Sequence, residues 1–252
     1  MDKYNLALEN WRKKKVTNDA ELSEALNGYR VSFSYNSSKI ENEKITFHDT
    51  REVFDNDGVT NYTGDLRTLF ELKNAKLAHE FFLDAFDKKL PVTKELVLEF
   101  HKLITMNTYD ERRYRLGERP GTYKKHDYVT GKDEIGASPE DVEEEMDELL
   151  DEMNEITPDI ALKAAAYFHV KFENIHPFAD GNGRTGRIIM NYILVTNEHP
   201  PITIHEEDKE QYYDSLEKWD SKQNLNAMIS FLKEQTVKTW NKQIERKKNK
   251  SI

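Results

Sequence analysis

Breakers are scarce in this chain, with 10 Gly and 7 Pro in 252 residues, and apolar residues recur at spacings of three and four over long stretches. Long helices tolerate that pattern, whereas a many-stranded sheet would need more turn residues, so the expected fold class is all-α. The spacing predicts a helix over 65–87, with Leu66, Leu69, Phe70, Leu77, Phe81 and Phe86 on one broad face. Thr93 caps a second helix, and Ser138-Pro139 and Thr157-Pro158 each pair a cap with a first-turn proline. The helix opened at Thr157 passes through Ala164, Ala165 and Ala166 to about Phe172, and its small residues allow neighbours to come close. Further helices are expected over Ile188 to about Val195 and from about Glu207 and Asn224. Two stretches break the pattern. Residues 55–64 read as a surface loop, and Leu116 to Gly131 reads as a small β-hairpin with Lys125-His126-Asp127 near its tip.

Charge and composition exclude several functions. Lys plus Arg total 37 against 47 Asp plus Glu, a formal charge of −10, so no global field draws the chain to nucleic acid or anionic lipid. No nucleic-acid partner is expected. The basic stretch from Lys238 to Lys250 is read as a solvated, fraying helix end, and a DNA-binding regulator is disfavoured. Without cysteine there is no thiolate nucleophile, disulfide or Cys-ligated metal, which suits a reducing compartment. The longest apolar run, Ile188 to Val195, is too short to span a bilayer, and residues 1–15 lack the apolar core of a signal peptide. The expectation is a cytoplasmic protein with no membrane partner.

The chemistry concentrates in His176-Pro177-Phe178-Ala179-Asp180-Gly181-Asn182-Gly183-Arg184-Thr185-Gly186-Arg187, a turn between two expected helices. Gly181 and Gly183 let successive backbone N–H groups turn inward at the start of the next helix, where the dipole also favours an anion. Arg184 and Arg187, three apart, project from one side of that helix and can clamp a polyphosphate. Asp180 is placed to hold a hard cation shared with the phosphates, and the His176 imidazole can take a proton from an attacking hydroxyl near neutral pH. Together these groups describe attack of a hydroxyl on a nucleotide phosphate. Gly181-x-Gly183-x-x-Gly186 also satisfies a dinucleotide-binding spacing, but the segment before it is Ala-rich and helical rather than a strand. A Walker phosphate loop is excluded because no Lys-Ser or Lys-Thr follows the glycines. His169, His199 and His205 lack partners at metal-ligand spacing.

The same stretch closely resembles the signature of the Fic-domain family, His-x-Phe-x-(Asp or Glu)-Gly-Asn-Gly-Arg-x-x-Arg, with every specified position present. The resemblance implies a Fic-fold helical bundle with a small β-hairpin flap, and a protein adenylyltransferase that moves AMP from Mg-ATP to a target hydroxyl. It implies the family's general base at His176, its Mg²⁺ ligand at Asp180, its α/β-phosphate cradle at Gly181, Asn182, Gly183 and Arg184, and its γ-phosphate arginine at Arg187. Thr122, Tyr123, Tyr128 and Val129 look like the flap that aligns a target segment by strand addition. Tyr212 and Tyr213 stand where the family places an aromatic on adenine, and plain core packing explains them equally well. The implied organisation is an N-terminal helical lobe over 1–64, a catalytic core over 65–232, and a C-terminal helix with basic tail over 233–252.

A second resemblance lies upstream. Ser37-Ser38-Lys39-Ile40-Glu41-Asn42 matches the (Ser or Thr)-x-x-x-Glu-(Gly or Asn) pattern of autoinhibited members, in which Glu41 would hold Arg187 away from the γ-phosphate. Ser38-x-x-Glu41 also satisfies a capping box. The partners implied are ATP, an unidentified protein target, the chain itself through self-modification at Ser37, and a second copy, since many relatives dimerise through helical surfaces. Removal of AMP from a modified protein, transfer of another phosphate group, and nucleotide sensing without turnover remain as alternatives.

Overall fold

The computed structural model describes residues 2–129 and 136–248. Among the described residues twelve α-helices follow in order: α1 Lys3–Arg12, α2 Asp19–Ala25, α3 Tyr29–Glu41, α4 Phe47–Asn56, α5 Leu66–Asp87, α6 Lys94–Thr105, α7 Glu111–Arg115, α8 Val142–Asp151, α9 Ala161–Ile175, α10 Asn182–Thr196, α11 Lys209–Lys222 and α12 Leu225–Lys248. Local sequence starts many of them. The side chains of Asp2, Asn18, Thr46, Asp65, Thr93 and Asp110 each accept the N–H three residues on, at the starts of α1, α2, α4, α5, α6 and α7. At the two proline-marked starts the helix proper begins later than expected. Residues 138–141 and 158–160 form turns first, with Val142 N–H on the Ser138 carbonyl and Ala164 N–H on the Ile160 carbonyl.

The core is continuous from the N-terminal helices to the C-terminal one. Trp11, Leu22, Leu26, Phe33 and Ile40 pack in one apolar cluster with Phe100, Phe168, Phe172, Ile189, Tyr192 and Leu232. α10 runs through the middle, buried at nearly every position from Asn182 to Val195, against α9, α6, α3 and α5. Gly186 permits the close approach of α9, because a Cβ there would stand 3.0 Å or less from Glu173 Oε1 and His169 Nδ1. Burial therefore overrides the low helix propensity of Gly183 and Gly186, and α10 starts at Asn182, so Arg184 and Arg187 stand in its first turns as expected.

The expected β-hairpin is not formed. Among the described residues there is no strand, and residues 121–129 pass through turns and bends. The backbone there bonds outward instead of to itself: Lys124 N–H donates to the Pro177 carbonyl at 2.9 Å, and Lys125 N–H to the Glu118 carboxylate at 3.0 Å. Gly131, the expected end of the hairpin, lies outside the described residues. No helix among the described residues is long and apolar enough to cross a membrane.

Candidate active site

The turn between α9 and α10 is fixed from several sides. His176 ends α9 in the left-handed region, with φ of 51°, and its N–H still donates to the Phe172 carbonyl at 3.0 Å. That conformation turns the chain sharply, so Pro177 to Gly181 can reach the start of α10. The Asn182 side chain locks the turn, accepting from Phe178 N–H at 2.9 Å and donating to the Phe178 carbonyl at 2.7 Å. Gly181 has φ of +82°, and a Cβ there would meet Thr105 at 2.5 Å. Beneath it, buried His101 stacks on Phe178 with ring centroids 3.6 Å apart. Its Nδ1 accepts the Gly121 N–H at 2.9 Å, so Nε2 carries the proton and donates to the Asp180 carbonyl at 3.0 Å. Burial first, then the Arg184 charge, lowers the His101 pKa to about 3, consistent with that neutral ring.

Arg187, 1% exposed, is gripped from α3. Its Nε donates to Ser37 Oγ at 3.0 Å, and its Nη2 donates to the Ser37 carbonyl and to Glu41 Oε1, both at 2.8 Å. On its other side Nη1 lies 3.5 Å from the Tyr212 hydroxyl. Gly183 makes this possible, since a Cβ on it would overlap Glu41 Oε1 and stand 2.8 Å from Arg187 Nη1.

Asp180 is equally engaged. Arg67 of α5 donates to its Oδ2 at 2.8 Å, Arg113 lies 3.7 Å from the same oxygen, and Arg184 donates to Oδ1 at 3.4 Å. Burial opposes ionisation of this carboxyl, but the charges of Arg184, Arg67 and Arg113 prevail and hold it below the usual aspartate range. Buried Glu71 backs the cluster, 3.1 Å from Arg67 Nε and 3.7 Å from Arg184 Nη1. Asn42, the residue after Glu41, donates to Glu71 at 2.7 Å.

The loop after α7 is tied to the same turn at two points, through Lys124 N–H on the Pro177 carbonyl and Ala137 N–H on the Ile175 carbonyl, each at 2.9 Å. These bonds bracket His176. Between them, buried Glu118 takes the N–H of Lys125, Nδ1 of His126 and the hydroxyl of Tyr128 at 3.0 to 3.1 Å. Burial, and then the charge of Lys124, lower the His176 pKa to about 4, so its imidazole is neutral at pH 7. Glu173 of α9 goes the other way, raised by burial to about 8.

Residues 91–194 match the Fic/DOC family. This stretch is a match to a Fic domain. The matched stretch includes the tethered loop, His176, the glycine turn and Arg187, and leaves Ser37 and Glu41 outside it. Over 133 residues the chain is 32% identical to a protein adenylyltransferase Fic of Nematostella vectensis, covering 51% of this chain and 29% of that protein. It is 27% identical over 210 residues to the protein adenylyltransferase Fic of Drosophila grimshawi, covering 81% of this chain and 41% of the relative. The chain thus spans less than half the length of these curated relatives. Among solved structures, its fold is similar to a Fic domain containing signaling protein from Bacteroides thetaiotaomicron, with a TM-score of 0.80 at 24% identity over 98% of this chain and 97% of that one. Fic-1 (residues 134–508) from C. elegans gives 0.77 at 22% identity over 98% and 73%.

The structure brings His176, Asp180, the glycine turn, Arg184 and Arg187 together, with Ser37 and Glu41 against them. The two tyrosines separate. Tyr212 is 1% exposed, with its hydroxyl 2.9 Å from His169 Nε2, whereas Tyr213 is 43% exposed and is the only one of the pair with an open ring. Thr122 bonds back to Arg119, Tyr123 packs on Phe178, Tyr128 reaches Glu118, and Val129 is exposed. Sequence reasoning missed Arg67, Glu71, His101, Arg113, Glu118 and Lys124. Each lies outside the motif and joins it only through the fold. Among the described residues no three or more His, Asp or Glu side chains converge on a metal position. A lone Asp180 still fits Mg²⁺, an ion that keeps its waters and takes further ligands from substrate phosphates.

Proposed function

We propose that this chain is a protein adenylyltransferase restrained by Glu41. The neutral His176 imidazole takes the proton from a Ser, Thr or Tyr hydroxyl on a target protein, and that oxygen attacks the α-phosphorus of ATP. The bond from the α-phosphorus to the bridging oxygen breaks in line, and pyrophosphate leaves. N–H groups at the start of α10 and the Arg184 guanidinium stabilise the charge that develops on the phosphoryl oxygens. Arg187 receives the γ-phosphate once Glu41 has left it. Asp180 would hold Mg²⁺, which neutralises phosphate charge. Residues 122–129, tethered beside His176 through Lys124 N–H on the Pro177 carbonyl, present the target segment.

The observation that carries this reading is the grip of Ser37 and Glu41 on Arg187, beside a turn that already holds His176, Asp180 and the glycine nest. The capping box that Ser38 and Glu41 satisfy in sequence is not formed, because Ser38 lies inside α3 and Glu41 ends it, where the helix dipole disfavours a carboxylate; its reach to a buried arginine of α10 therefore calls for another reason. The test is transfer of α-phosphate-labelled ATP to the chain itself and to a lysate with Mg²⁺, comparing wild type, Glu41→Gly and Glu41→Gly/His176→Ala after matching their melting temperatures. Strong labelling by Glu41→Gly, weak labelling by wild type and none by the double variant is the expected result. If no variant labels anything, the transferase reading gives way to AMP removal or to nucleotide sensing.

A further inference from the structure

Asp180, the metal ligand of the reading above, is already neutralised by the chain. Arg67 spans two carboxylates, with Nη2 at 2.8 Å from Asp180 Oδ2 and Nε at 3.1 Å from Glu71 Oε1. Arg113 and Arg184 complete a set of three guanidinium groups around the two acids, Asp180 and Glu71. With Asp110, which pairs with Arg113, the cluster is neutral, so a divalent ion arriving alone would raise it to +2 by the same count. The four negative charges of a nucleoside triphosphate would offset that gain, so ion and nucleotide favour each other here.

The three arginines differ in freedom. Arg184 is 8% exposed and built into α10, and Arg113 is held by Asp110 at 2.9 Å. Arg67 is 46% exposed and stands in the first turn of α5, free to swing toward solvent. Its anchor Glu71 is in turn held by Asn42, so the end of α3 that carries Glu41 also supports the group on Asp180.

We propose that Arg67 is the resident counter-cation of Asp180, displaced when a divalent ion enters with the nucleotide, and that it sets how much of that ion the protein requires. This rests on the assignment of Asp180 as metal ligand.

The test uses Mn²⁺ as the probe, with binding to the full chain followed by electron paramagnetic resonance, with and without the non-transferable nucleotide α,β-methylene-ATP. Wild type, R67Q, R67K, D180N and R67Q/D180N are compared after confirming equal melting temperatures. Removing one partly exposed cation from a carboxylate is expected to tighten Mn²⁺ binding by about five- to tenfold in R67Q. R67K, which keeps the charge and guards against a folding artefact, should stay within about twofold of wild type, and R67Q/D180N should lose the gain. R67Q binding like wild type, or R67Q/D180N keeping the gain, would overturn the proposal. If D180N loses Mn²⁺-nucleotide binding while R67Q binds like wild type, Asp180 remains the metal ligand and only the role of Arg67 falls. If D180N binds Mn²⁺ with nucleotide as wild type does, the ligand assignment falls first and the role of Arg67 with it.

Discussion

Glu41 and Arg187, 146 residues apart in sequence, meet at 2.8 Å between the end of α3 and the first turns of α10. Arg187 is almost fully buried and Glu41 is about one-third exposed, so the contact can open from the Glu41 side without unfolding the helix beneath. Truncating the carboxylate leaves Arg187 with the two Ser37 acceptors and frees one guanidinium edge for a phosphate. Glu41→Gly is therefore expected to raise AMP transfer by at least about tenfold, the scale of one charge-assisted hydrogen bond. Labelled transfer read beside a melting curve checks it. An unchanged rate with a lowered melting temperature would leave Glu41 as a structural residue only.

The tyrosine pair on α11 separates core from surface. Tyr212 is stacked on His169 at 5.7 Å and bonded to it, while Tyr213 lies open under Lys209. Tyr212→Ala is expected to cost about 3–5 kcal/mol of stability, as for other large buried aromatics. Tyr213→Ala should cost less than about 0.5 kcal/mol but weaken ATP binding severalfold if its ring covers adenine. Denaturant titration and calorimetric ATP binding on both variants decide it; equal ATP affinity in Tyr213→Ala would remove that ring from the nucleotide site.

Much of the fold was legible because it is local. Asp65 and Thr93 cap the helices their sequences announce, but the face of α5 departs from its apolar spacing: Leu66 and Leu77 are exposed, whereas Glu71, Asn74 and His79 are buried. The chemistry of residues 176–187 was legible because its donors are adjacent in sequence. What was not legible depends on distant contacts. The hairpin failed because Glu118 and Pro177 compete for the donors that a strand partner would have used. Nothing in the local sequence links Arg67 to Asp180, and only the packing of α5 beside α10 turns it toward that carboxylate. Tyr212 and Tyr213 are chemically identical neighbours, and only the helix rotation distinguishes them.

Acid should unfold this protein early. Burial lowers the pKa of His101 and His169 to about 3 and of His79, His176 and His199 to about 4, against an ordinary value of 6.5. Between those values the unfolded chain binds more protons than the folded one, so stability falls as pH drops from 6.5 toward 4. Each such histidine costs roughly 2 kcal/mol between pH 7 and 5, and five of them rival the total stability of a domain. Glu173 has the opposite sign, because burial raises it to about 8 and the folded state then holds its proton longer than the unfolded one. Its contribution is lost as pH rises through 8. Melting temperatures are expected to peak near neutrality and drop steeply below about pH 6. A flat curve from pH 7 to 5 would contradict burial of the histidines in neutral form. Over pH 6 to 8 the transfer rate should show no inflection from His176, whose imidazole is already neutral there.

Glu118 decides whether the loop beside His176 has a fixed shape. Its carboxylate takes three donors from Lys125, His126 and Tyr128, and it is 1% exposed, so Glu118→Ala leaves the partly buried Lys125 N–H without its acceptor. The expected cost is about 1–3 kcal/mol. The two backbone tethers, at Lys124 and Ala137, do not depend on this carboxylate and should keep the ends of the loop in place. Amide exchange is therefore expected to quicken within residues 125–129 but not at Lys124. ATP binding should be retained and transfer to protein should fall, because the loop faces the target and not the phosphates. Exchange left unchanged throughout 122–129 would show that the tethers alone define the loop. Loss of ATP binding would instead place Glu118 in the support of the turn from His176 to Gly181.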